Sequence, residues 1–222
     1  MESKKLKGSL VNRAEKIISL CKGKTVLHLG CADYPFSREQ YEAGNLLHQK
    51  ITDVAKYAVG VDISAEGIAF LSSLGYKNLL VGDAEKLEEL NINQQFDVVV
   101  AGEILEHLSN PGMFFSGIKF FLKNNGILIL SVPNAHAVKS FIRILLLRKE
   151  LIHPDHVYYF SQATIDHFCN RYGLKIREVF YYLTKSKNIV KRLIFLPFFY
   201  FIKYLCSCIG DGLIFVVEKE WL

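Results

Sequence analysis

Residues Phe96–Phe115 read FDVVVAGEILEHLSNPGMFF. FDVVVA is an unbroken run rich in β-branched residues, which suits a strand covered on both faces. Gly102-Glu103 ends the run, and Asn110-Pro111 pairs a helix cap with proline at the first helical position. A buried strand that leads through a polar turn into a helix is the repeating unit of a parallel α/β sheet.

The same unit recurs outward from this stretch. Upstream, Thr25–Leu29, Tyr57–Val61 and Asn78–Val81 read as short buried strands. Ser9 can cap a helix that runs to about Cys21, and Ser64 can cap one that runs to Leu74, with Gly75 as its stop. A helix is also expected to end near Ala55. Downstream, the Asn110-Pro111 helix is expected to reach Lys123, Asn124-Asn125-Gly126 to turn, and Ile127–Val132 to form a fifth strand. Ala135–Glu150 reads as a helix, and Ser161 caps another to about Tyr172. Leu174–Tyr182 and Leu213–Glu218 complete seven strands. The expected arrangement is a single domain over residues 1–222, with an N-terminal helix within 1–22 and an apolar, basic insertion at 185–210.

Composition agrees with a globular domain. The chain has 222 residues, 50% hydrophobic and 22% charged, enough to bury a core without a staple. Its formal net charge of +5 is local: no acid falls between Glu178 and Asp211, whereas Lys185, Lys187, Lys191, Arg192 and Lys203 do. No nucleic-acid partner is expected from so confined a patch. The five cysteines lack paired CxxC elements and read as free thiols of a reducing compartment. MESKKLKGSLVNRAEK carries no apolar stretch behind its basic residues, unlike a signal peptide. A cytoplasmic location follows as the expectation, with a peripheral place at the inner face of the membrane open to the insertion.

Function is concentrated where the strands end, because ligands of open α/β sheets sit beyond the carboxyl ends. The first strand ends in Gly30-Cys31-Ala32-Asp33, the second in Asp62-Ile63, the third in Gly82-Asp83-Ala84 and the fourth in Gly102-Glu103. Gly30 permits close backbone approach. Asp62 can accept from two ribose hydroxyls. Asp83 with the Ala84 amide can hold an adenine edge, and Asp33 and Glu103 can face an amine or sulfonium. Each residue alone suits a turn equally well; the series in order is harder to explain so.

VLHLGCAD, VGVDIS, VGDAEKL, FDVVVAGEILEHLSNPGMFF and NGILILSVPN resemble, in order and spacing, class I S-adenosylmethionine-dependent methyltransferases. The subgroup most similar includes the ubiquinone-biosynthesis O-methyltransferase and methyltransferases of glycan clusters. The resemblance covers Val26–Val132 and continues more weakly through HPDHVYYFSQATIDHFCNRYGLKI. It implies a Rossmann-like three-layer sandwich, its seven strands in the order 3-2-1-4-5-7-6 with the last antiparallel. It implies S-adenosyl-L-methionine as cofactor, with Gly30 near its methionine end, Asp62 on the ribose, Asp83 near the adenine and Glu103 where the fourth strand opens into the acceptor site; Cys31, Asp33, Ile63 and Ala84 beside them complete the candidate cofactor-binding residues. The first motif departs from the family: His28 replaces an acid, Ala32 the second glycine and Tyr34 the third.

Methyl transfer from a sulfonium is an in-line displacement, so alignment matters most and a base helps a weak nucleophile. Glu103, His107 and His156 are the candidate catalytic residues. His153, Asp155 and His156 form an HxDH cluster too short to specify a metal, and none is expected. His136 is a weaker candidate, and His48 reads as an ordinary helix residue. Of Tyr158, Tyr159 and Phe160, one is expected to line the pocket and two to be buried.

RLIFLPFFYFIKYLCSCI, at 192–209, is interrupted by Pro197 and Lys203. From Leu193 it spans about 26 Å as a helix, short of the roughly 20 clean apolar residues of a membrane span. A membrane surface through 189–209, an apolar cover for the acceptor, a homodimer contact and plain packing all remain open. The expected activity is methylation of a hydroxyl on a small molecule, sugar or lipid-linked glycan. The rivals are a nicotinamide-dependent dehydrogenase and a non-catalytic membrane-associated module.

Overall fold

The computed structural model describes residues 8–150, 153–184 and 207–220. Eight strands form one sheet: β1 (Ser9–Leu10), β2 (Thr25–Leu29), β3 (Tyr57–Asp62), β4 (Leu79–Val81), β5 (Phe96–Gly102), β6 (Leu122–Pro133), β7 (Leu174–Tyr182) and β8 (Gly212–Lys219). Their order is β1-β7-β8-β6-β5-β2-β3-β4. Without β1 this is the order expected of the seven strands, and β8 lies antiparallel between β6 and β7. The added strand pairs parallel to β7, Ser9 opposite Phe180 and Leu10 opposite Tyr181.

Alternation along β5 explains the two buried faces. Val99 and Ala101 join Phe114 and Phe115 of α5 (Pro111–Ile118) and Ile165 and Cys169 of α7 (Gln162–Arg171) in one core. Val98 and Val100 meet Ile17 and Cys21 of α1 (Arg13–Cys21) and Leu47 and Ile51 of α3 (Leu47–Val54) in another. A third cluster places Ile68 and Leu71 of α4 (Ala65–Ser73) under Cys31 and Ala32. At the far end of the sheet, Asp97 Oδ2 accepts from Thr25 N at 2.8 Å and Thr25 Oγ1 at 2.7 Å, and its Oδ1 accepts from Lys123 Nζ at 2.8 Å. Burial pushes the Asp97 pKa up, but these hydrogen bonds outweigh it and hold the carboxyl well below its usual range.

Several boundaries differ from expectation for physical reasons. Ser9 is taken into β1, and Asn12 caps α1 instead, its side chain accepting from Glu15 N. The helix expected across 1–22 is therefore confined to Arg13–Cys21, and residues 1–7 lie outside the described residues. The helix expected before Ala55 is two, α2 (Ser37–Glu42) and α3, parted at Gly44 with φ +64°. After Ile118, α5 tightens into a 3₁₀ turn to Phe121. Asn124-Asn125-Gly126 does not end an element; β6 begins at Leu122 and runs through it, with a register shift opposite Phe96–Val98. α6 (Val138–Leu147) is shorter than the helix expected over 135–150. Cys21, Cys31 and Cys169 are buried free thiols, whereas Cys208 is disulfide-bonded, unlike the five free thiols expected. Most of the insertion expected at 185–210, including 189–206, lies outside the described residues; Ser207–Ile209 form a 3₁₀ turn. Among the described residues no helix is long and apolar enough to cross a membrane.

Ser161 starts α7 with a reciprocal cap: its Oγ accepts from Thr164 N at 3.2 Å, and Thr164 Oγ1 accepts from Ser161 N at 2.8 Å. Replacing such a cap by alanine costs about 1 kcal/mol. Ser161→Ala is expected to lower the melting temperature by about 2–4 °C at this chain length, which a calorimetric scan measures.

Candidate active site

Register brings the candidate residues level. Leu29 pairs with Val61 and with Ala101, Asp62 with Val81, and Gly102 with Ser131. The turns that follow these strands therefore open along a single rim. Backbone bonds tie them laterally: Gly30 N and Cys31 N donate to Val61 O at 2.8 and 3.2 Å, Gly82 N to Asp62 O at 2.9 Å, and Glu103 N to Ser131 O at 2.9 Å.

The first turn is built around Gly30. Its φ is +70°, and a Cβ there would collide with Cγ2 of Ile104. Glycine meets both demands. Asp62 then clamps the loop. Its Oδ2 accepts from Ala32 N at 2.8 Å and its Oδ1 from Ser64 N at 2.9 Å. Each carboxylate oxygen keeps a lone pair for a further donor. Ile63, 72% exposed, presents an apolar side chain beside it. Asp83 Oδ1 accepts from Glu85 N at 2.8 Å, which shapes the Ala84 turn. Glu85 in turn accepts from Ser109 N and Asn110 N, joining that turn to the one after β5. Cys31 is buried against Gly60, so its backbone rather than its thiol faces the rim. Burial, and then the charge of Asp62, push the Cys31 thiol up.

Two acidic residues sit in left-handed backbone: Asp33 with φ +51° and Glu103 with φ +58°. Glutamate rarely adopts this conformation, which costs of order 1 kcal/mol or more. The Asp33 side chain opens to solvent, yet protein crowds its base. That crowding raises its pKa, Arg13 opposes the rise, and Asp62 and Glu103 add to it. Glu103 Oε1 accepts from the hydroxyl of buried Tyr182.

Two residues that the sequence reading missed complete this wall. Arg13 donates through Nε to Ser131 Oγ at 2.9 Å, and its guanidinium lies 6.0 Å from the Tyr182 ring. No linear motif marks either residue, since α1 and β7 reach the rim only through the sheet order. His28, the departure from the family motif, stacks on His48 with Nδ1 atoms 3.2 Å apart. Both imidazoles are buried, and desolvation lowers both pKa values, His48 to about 4. His48 is thus a core partner of His28 and does not face the crevice.

Glu106, one turn beyond Glu103, is 1% exposed, and neither carboxylate oxygen has a protein partner. Burial first, and the Glu103 carboxylate second, push its pKa up to about 8. Glu106 O accepts from Val157 N at 2.9 Å, which draws the loop over 153–160 onto the 3₁₀ turn at Leu105–His107. The His107 and His156 rings then meet edge to face at 4.6 Å, with His153 5.0 Å from His156. Glu106, His107 and His156 each bring one ligand atom within 4.8 Å of the others. These three could hold a cation, a grouping distinct from the HxDH cluster visible in the sequence. Desolvation, then His107 and His153, lower the His156 pKa, leaving a neutral ring at pH 7. Phe160 is buried while Tyr158 and Tyr159 are exposed, the reverse of one lining and two buried. Tyr158 Oη donates to Ser109 O at 3.1 Å. His136 is exposed in the turn after β6.

Comparison with known proteins gives a consistent family. A family model described as a methyltransferase domain matches residues 4–179. A ubiquinone biosynthesis O-methyltransferase of Glaesserella parasuis serovar 5 is 25% identical over 132 residues, covering 56% of this chain and 51% of its own. One from Rhodopseudomonas palustris strain TIE-1 is 28% identical over 137 residues, covering 58% and 47%. The chain spans about half the length of the curated relatives it matches. A solved SAM-dependent methyltransferase from Archaeoglobus fulgidus shares the fold with a TM-score of 0.59 at 20% identity, over 94% of this chain and 91% of that one. One from Mesorhizobium loti does so at 0.60 and 15%, over 93% and 95%.

Glu106 makes a pH prediction. A carboxyl whose pKa is raised by folding binds its proton more tightly folded than unfolded. Stability it contributes at low pH is therefore lost as pH rises from 4.5 to about 8. Glu106→Gln removes that linkage. Its melting temperature is expected to gain on wild type steadily across this window; parallel pH profiles would contradict it.

Proposed function

The chain belongs to the methyltransferase-domain family, and on that premise we propose that it transfers a methyl group from S-adenosylmethionine to a hydroxyl of a small molecule, sugar or lipid-linked glycan. The observation that carries this reading is the Asp62 clamp beside the side-chain-free face of Gly30. The donor set fits the cofactor. Asp62 has lone pairs for ribose hydroxyls, Ile63 an apolar face for the adenine, and Asp83 with the Ala84 amide a polar edge. Asp33 and Glu103 supply negative charge for the amine and sulfonium, and Cys31 contributes backbone. Arg13 is the cation at this wall, able to meet a ligand carboxylate. A dehydrogenase reading has no comparable support.

When bound, S-adenosylmethionine supplies an electrophilic methyl group with its leaving group already in place. The protein's contribution is first alignment, which is worth about 7–11 kcal/mol in well-oriented reactions. Tyr182 orients Glu103 through its hydroxyl, and the left-handed backbone of Glu103 turns that side chain along the rim. His156, kept neutral by burial and by its histidine neighbours, can take the acceptor hydroxyl proton. His107 packs edge-on against it and shares that wall, and the half-buried His156 ring can itself pass the proton to solvent. A positioned base adds about 10²–10⁴-fold.

A second reading of the same trio rests on the unpartnered oxygens of Glu106. A divalent cation held by Glu106, His107 and His156 would keep Glu106 ionised, and an acceptor oxygen beside it would lose its proton more readily. Exhaustive chelation separates the readings: activity survives it if His156 acts as a base and vanishes if a cation is required.

Calorimetry with S-adenosylhomocysteine is expected to give a dissociation constant on the order of micromolar. Hydrogen bonds to a charged group are worth about 1.5–3 kcal/mol, so Asp62→Ala should weaken binding about 10- to 150-fold. Folded wild-type protein that releases no heat with either form of the cofactor sinks the proposal. His156→Ala should leave that affinity unchanged and lower kcat about 10²–10⁴-fold.

A further inference from the structure

α6 follows β6 from the active-site rim and is apolar around most of its circumference. None of its residues is buried. Phe141, Leu145 and Leu146 are 65%, 65% and 69% exposed, and Ile144 and Leu147 are 50% and 56% exposed. Neighbouring exposed apolar side chains of this size mark an interaction surface. A ten-residue helix is marginal in water on its own, and among the described residues nothing buries that surface, which leaves it free to take a partner.

Charge identifies what. From Ala135 through Lys149 there is no acid, while Arg143, Arg148 and Lys149 lie on or beside the helix; Lys139 is engaged within the chain by Thr184 Oγ1 at 3.1 Å and Asp211 Oδ2 at 4.0 Å. Apolar residues interleaved with cations are the pattern of a helix that lies in the interface of an anionic bilayer. A second copy meeting this face about a two-fold axis would set the cations of each helix against those of the other. Anionic headgroups pair with the same cations. Tyr158 and Tyr159, half-exposed on the loop after α6, add amphipathic rings that favour such an interface.

We propose that α6 lies in the headgroup layer of an anionic membrane, its leucines and Phe141 turned into the acyl boundary. α6 begins at Val138, shortly after β6 ends on the rim at Pro133, so a membrane-bound α6 would hold that rim near the lipid. This attachment does not rest on methyl transfer, and its test is separable from it.

Full-length protein is sedimented with vesicles of equal parts phosphatidylcholine and phosphatidylglycerol, and with vesicles of phosphatidylcholine alone. Wild type is expected to pellet with the anionic vesicles, less so at high salt, and weakly with the neutral ones. Leu145→Glu with Leu146→Glu should abolish pelleting. Arg148→Asn removes one charge at a left-handed position that asparagine tolerates, and should weaken binding to anionic vesicles about fivefold. The melting temperature, measured on each variant, reports that the fold is intact and is expected to stay within about 2 °C of wild type. Undiminished pelleting of the double variant overturns the proposal, as does failure of wild type to bind either vesicle. Wild type that sediments as a dimer, with the double variant monomeric, assigns the face to a second copy and equally overturns it.

Discussion

Two backbone amides converge on the Asp62 carboxylate, and the site depends on that convergence. Ala32 N comes from the turn after β2 and Ser64 N from the turn after β3. Neither amide could be left unpaired in a buried position without a penalty of about 1–3 kcal/mol. The carboxylate answers both and joins the two central turns. It also fixes its own orientation, which a ribose-binding acid needs before the ribose arrives. The side-chain-free surface of Gly30 and the left-handed turn at Asp33 are arranged around this joint.

Most of the sheet was legible because its signals are local. FDVVVA and ILILSV are dense enough in β-branched and apolar residues to declare buried strands, and Ser64, Asn110, Ser161 and Pro111 mark helix starts with their own chemistry. Residues at strand ends could be named without knowing the fold, since chain order alone puts them there. The two-residue strand at Ser9–Leu10 has too short a pattern to read. Ser9 and Asn12 are both good caps, and only pairing with β7 decides between them. Arg13 and Tyr182 come together across the sheet from opposite ends of the sequence. The burial of Glu106 was hidden for the opposite reason: in LEHL it looks like any polar turn residue, and Val157, in the loop that covers it, lies 51 residues on.

His28 shows how a departure from a family pattern can be absorbed. An acid at that place would need a partner in the core. A neutral imidazole finds one in His48, stacked within hydrogen-bond reach, with Tyr76 against the far ring. The pair fills the space between β2 and α3 without carrying charge, so the carboxylates of the rim lie above a neutral floor. Arg13 then remains the principal positive charge acting on Asp33 and Glu106.

The antiparallel strand β8 has a consequence for biosynthesis. As the polypeptide leaves the ribosome, β6 and β7 emerge with their facing edges vacant, because the strand that separates them is translated after both. β7 can meet only the two residues of β1 in that interval. Long, apolar, unpaired edges invite pairing with other nascent chains. Closure waits for Gly212–Lys219 to insert between them.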